Sequence, residues 1–72
     1  MENLSDGAKQ VYQSLLNKDE GDVSAGWGTV YLDNARPRGM SAHQFAGYLS
    51  ALERIGLYEP DEDGVFGYVK QT

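Results

Sequence analysis

The 72-residue sequence predicts a single α+β domain on the strength of three features. Apolar residues recur at helical spacing near the N-terminus, and a second such stripe runs from Phe45 to Ile55. Two arms rich in β-formers then flank the polar turn Asp61 to Gly64. The expected order is helix 1, a short strand, a main helix over 41–55 and a C-terminal β-hairpin. Residues 1–4 are expected to be a flexible N-terminus and 5–70 the domain.

Ser5 is a good N-cap for the first helix, Asp6 suits the positive end of its dipole, and Leu4 is placed to staple the first turn. Ala8, Val11, Tyr12, Leu15 and Leu16 share one face, which predicts a helix from about Asp6 to Asn17. Gly7 weakens its first turn. The polar stretch from Asn17 to Asp22, broken by Gly21, ends it.

Thr29, Val30, Tyr31 and Leu32 favour a strand from about Gly28 to Leu32. The rival is a helix over Ser24 to Asn34 with Trp27, Val30 and Tyr31 on one face. Gly26 and Gly28 would cost that helix roughly 1 kcal/mol each, which favours the strand. Trp27 and Tyr31 are expected in the core, because a small domain with few large aliphatics must use its aromatics. The functional alternative is an exposed aromatic patch for base stacking or dimerisation. Asn34 to Gly39 reads as a connector in which Pro37 pushes Arg36 toward an extended conformation, with room for a single-turn helix.

Ser41 caps the main helix, whose core stripe is Phe45, Tyr48, Leu49, Leu52 and Ile55. Gly56 is a stop signal, and Arg54 sits in the last turn, where a cation is favoured. Leu57 to Pro60 and Val65 to Val69 form the hairpin arms, with Asp63-Gly64 as the turn signal. Pro60 confines the first arm to an edge. Val65, Gly67 and Val69 should share one face, and Phe66 and Tyr68 the other.

The composition narrows the chemistry. With no cysteine, neither a disulfide nor a Cys-based zinc site can staple the fold. His43 is the single histidine, so a His-rich metal site is ruled out. Asp61 to Asp63 lacks the spacing of a calcium loop, and no phosphate-binding or nucleophile–base motif is present. The expectation is therefore no enzyme, no catalytic residue, no metal and no cofactor. The start MENLSDG lacks the charge and apolar run of a leader, and no stretch approaches the ~20 apolar residues of a bilayer span. A cytoplasmic protein without a membrane partner is expected.

Net charge is −5, which opposes non-specific attraction to phosphate. The distribution is uneven. From Asn34 to Gly56, Arg36, Arg38 and Arg54 face Glu53 alone; from Leu57 to Lys70, Glu59, Asp61, Glu62 and Asp63 outnumber Lys70.

The run QFAGYLSALERIGLYE and the hairpin after it resemble a winged helix-turn-helix domain, whose usual order is helix, strand, two helices and two wing strands. The resemblance rests on the spacing of Phe45, Leu49 and Leu52, and on Glu53, Arg54, Gly56 and Leu57 leading into the wing. It covers about 30 of the 72 residues well. The departure is the second helix, because NARPRG is too short and too rich in Pro and Gly to supply it. Either that helix is reduced to a turn, or the strand over 28–32 is that helix.

The resemblance implies DNA contact through the main helix. Its outer face would show His43, Gln44, Gly47, Ser50, Ala51 and Arg54, behind the cap Ser41. Gln44 can pair with adenine, Ser50 can reach base or phosphate, and Arg36, Arg38 and Arg54 can reach phosphates. The leading expectation is a small DNA-binding regulator of transcription, of a size and acidity that suit an accessory or phage-type protein. The alternative is a protein–protein adaptor or inhibitor of the same fold, using helix 41–55 or the acidic wing without DNA. A thin core would also gain from homodimerisation.

Overall fold

The computed structural model describes residues 5–19 and 26–71. Its elements are helix α1 (Asp6–Asn17), strand β1 (Trp27–Tyr31), helix α2 (Leu32–Ala35), helix α3 (Ala42–Arg54), and strands β2 (Tyr58–Pro60) and β3 (Phe66–Lys70). The strands form one antiparallel sheet in the order β1-β3-β2. This α+β arrangement, with its C-terminal hairpin, is compatible with the winged-helix-like layout expected from the sequence. The expected loose end at 1–4, the stapling role of Leu4 and the loop over 20–22 lie outside the described residues.

Helix α1 starts as its sequence dictates. The Ser5 hydroxyl accepts from the Ala8 N–H at 3.2 Å, and Asp6 occupies the first turn. Its buried face is Ala8, Val11, Tyr12 and Leu15. Gly7 faces the Tyr48 ring of α3 so closely that a Cβ there would collide with it. The glycine that weakens the first turn thus lets two helices approach. The buried Tyr12 hydroxyl donates to the Lys70 carbonyl at 2.8 Å, and Ser14 Oγ donates to the Ala35 carbonyl. These two bonds tie α1 to the sheet and to α2.

Residues 27–31 are a strand, not a helix. The strand ends one residue earlier than predicted, because Leu32 opens the single turn of α2, and its N–H donates to the Val65 carbonyl at 3.0 Å. Between β1 and α3 there is thus one helical turn, which buries Ala35. An isolated bridge from Asp19 to Val30 lies along the outer edge of β1.

Helix α3 is closed at both ends. A capping box joins Ser41 and Gln44: the Gln44 N–H donates to Ser41 Oγ at 3.1 Å, and the Ser41 N–H donates to Gln44 Oε1 at 3.0 Å. At the other end Gly56 has φ +85, the left-handed conformation that stops the helix. The Leu57 N–H then reaches back to the Leu52 carbonyl and the Gly56 N–H to the Glu53 carbonyl, which is a Schellman motif.

Ala8, Val11, Tyr12, Leu15, Val30, Ala35, Phe45, Leu49, Leu52, Tyr58 and Val69 form the core. Three expectations are corrected here. Ile55 is not in the core stripe; it is 51% exposed at the helix C-cap. Val65 precedes β3 and is exposed, whereas Gly67 and Val69 do face inward. Trp27 and Tyr31 are only half-buried and outside the core, because Gly28 and Val30 take the inner face of β1. The hairpin turn spans Asp61 to Gly64, as the sequence indicated. Pro60 pairs with Gly67, and the Gly64 N–H closes on the Asp61 carbonyl at 3.1 Å.

Candidate functional site

With Phe45, Leu49 and Leu52 buried, the residues of α3 turned farthest from the core are His43, Gly47, Ser50 and Arg54, at i, i+4, i+7 and i+11. All four are exposed. Nothing lies within 4 Å of a Cβ built on Gly47, so the middle of this stripe is open. His43 and Arg54 form polar ends around a small-residue centre at Gly47 and Ser50, which would let the helix backbone sit close to a groove wall.

Ser41 and Gln44 are exposed as well, but their oxygens are occupied by the capping box. A bidentate pair with adenine needs both the amide oxygen and the amide nitrogen of Gln44. The oxygen already accepts from the Ser41 backbone, so these two residues shape the helix start. The S-x-x-Q spacing is the signal that identifies this role in the sequence.

The two connector arginines do not form one patch. Arg36 lines a groove between α2, the N-terminal half of α3 and the hairpin, with Leu32, Asp33, Phe45, Leu49 and Gly64. Arg38 lines a separate depression on the other flank of α3, with Gly7, Gln10, Met40, Gln44 and Tyr48. They stand on either side of the same helical segment. Arg54 is at the far end, about 18 Å along the axis from Ala42 at the usual helical rise.

The hairpin presents Glu62 and Asp63 at its exposed tip, while Asp61 accepts from the Tyr68 hydroxyl at 3.1 Å. Burial, with the Glu53 carboxylate adding to it, raises the Tyr58 phenol above its ordinary pKa. Among the described residues no group of His, Cys, Asp or Glu could hold a metal ion, and no helix is long and apolar enough to cross a membrane.

The aromatic patch weighed from the sequence as the alternative for Trp27 and Tyr31 lies on the outer face of the sheet, where Phe66 and Tyr68 join it. On the outer face of the sheet, Trp27, Thr29 and Tyr31 of β1 stand beside Lys70, Tyr68 and Phe66 of β3 in register. Tyr31 and Phe66 are in ring contact at 5.3 Å between centroids. The Lys70 ammonium lies 5.9 Å from the Trp27 ring centroid. The period-2 alternation around Gly28 and Val30 was the available signal. Compared with protein-family profiles, with curated proteins and with solved structures, the chain matches none.

Proposed function

We propose that this chain is a small DNA-binding regulator that lays the outer face of α3 in the major groove of a duplex. The observation that carries this reading is the placement of Arg36 and Arg38 on opposite flanks of an open, small-residue helix face. A helix in the major groove has a phosphate backbone on each side, so each arginine meets a different strand. His43, Gly47 and Ser50 then face base edges, and Arg54 meets phosphate where the helix leaves the groove. The carboxylates at the hairpin tip oppose phosphate, and Gly64 lines the same groove as Arg36, so the hairpin contributes no minor-groove contact and Arg36 carries that flank alone.

Binding of a fluorescently labelled mixed-sequence duplex, followed by anisotropy, tests the reading. Three arginine–phosphate contacts give a slope of about −3 in log K against log salt, and Arg36→Ala or Arg38→Ala lowers it by about one each. No binding at ~50 mM salt with tens of micromolar protein overturns it. A second reading, a protein contact through the acidic hairpin, is favoured by the carboxylates clustered at Glu59 and Asp61 to Asp63.

A further inference from the structure

We propose that the outer face of the sheet is a docking surface for an extended, arginine-bearing segment of a partner protein. The proposal deepens the second reading, since it shares the hairpin carboxylates, and it is independent of DNA contact by α3. Four of the eight aromatic residues of the chain, Trp27, Tyr31, Phe66 and Tyr68, stand on this face, away from the core. Phe66 is 39% exposed, a large apolar side chain with no packing role inside. Along the β2 side the aromatic surface is bordered by carboxylates. Glu59 pairs in register with Tyr68 and is exposed, and Asp61 is bonded to the Tyr68 hydroxyl. Glu62 and Asp63 extend the acidic border into the turn.

Rings beside carboxylates are complementary to guanidinium groups, which stack on aromatic faces and fork onto carboxylates. The face already accommodates one cation this way, with Lys70 over Trp27. The same carboxylates repel a nucleic-acid strand that would otherwise stack on the rings. A second copy of this chain fits poorly. Three strands of at most five residues cover about 250 Å² at ordinary strand spacing and rise, against the ~800 Å² per partner of a stable pair.

Trp27 is the single tryptophan, so its fluorescence reports on this face directly. The probe is a blocked peptide of alternating arginine and glycine, titrated into the full chain. The proposal expects a saturable change in Trp27 emission that weakens with salt. Glu59→Gln combined with Asp61→Asn, which keeps an acceptor for Tyr68, should weaken binding by about fivefold or more, as should Phe66→Ser. Ser50→Glu on α3 should leave it unchanged while abolishing duplex binding, which separates this proposal from the DNA reading. Unchanged affinity in the Glu59/Asp61 variant overturns it. So does an equal response to oligothymidylate, or a concentration-dependent dimer of the peptide-free chain that Phe66→Ser abolishes.

Discussion

Gln44 shows how one residue can be drawn in two directions. Its position suggests base reading, but its amide oxygen holds the Ser41 N–H and so fixes where α3 begins. On the proposed DNA reading, the side chains left for recognition are those opposite the core, where His43 and Ser50 are exposed. Leu52 is fully buried at the centre of the core, as its place in the stripe indicated. Leu52→Ala should therefore lose about 2–5 kcal/mol in denaturant unfolding, and a loss well under 1 kcal/mol would contradict the packing. Ile55 was misplaced for a geometric reason. Ten residues at 100° each leave it about 80° away from Phe45, so it leans toward solvent. Tyr58 gives a pH signature. Its folded pKa is raised, so the folded state holds the phenolic proton more tightly than the unfolded chain. The stability from that difference is complete below the unfolded value near 10 and is lost as pH rises through the folded value. Unfolding midpoints measured from pH 9 upward should fall more steeply for the parent protein than for Tyr58→Phe.

Among the elements, helix ends and the hairpin were legible because their chemistry is local. Ser5, Ser41 and Gly56 occupy the cap and stop positions that their side-chain chemistry or backbone freedom favours. Ser41→Ala should destabilise the domain by about 0.5–2 kcal/mol and fray the first turn of α3, seen as faster amide exchange at Phe45 and its neighbours. Equal exchange in parent and variant would mean that the capping box is not populated. The face of β1 was harder to read, because its alternation places glycine inward and tryptophan outward. Hydrophobicity alone sends Trp27 to the core. Only the cross-strand register reveals that Gly28 and Val30 take that side, with Val69 opposite Gly28. The second helix was obscured because one turn over Leu32–Ala35 carries no periodicity to detect. Its position is fixed by tertiary bonds, from Leu32 to Val65 and from Ser14 to Ala35.

At the scale of the whole molecule, the chain separates two surfaces of opposite character. The α3 side carries an open polar helix between Arg36 and Arg38, and the outer sheet side carries aromatics bordered by carboxylates. The net charge of −5 hides this division, which depends on folding the connector against the helix and the hairpin under it. The two proposals assign duplex DNA to one side and a basic protein segment to the other. An acidic protein with about three phosphate contacts should bind weakly and show only a modest salt dependence, a slope of about −3 in log K against log salt. The most direct test is a residue-resolved NMR titration of the full chain with a mixed-sequence duplex at low salt. The account predicts shifts at Arg36, Arg38, His43, Gly47, Ser50 and Arg54, with Trp27, Tyr31, Phe66 and Tyr68 unmoved. Shifts confined to the sheet face, or none at saturating DNA, would contradict it.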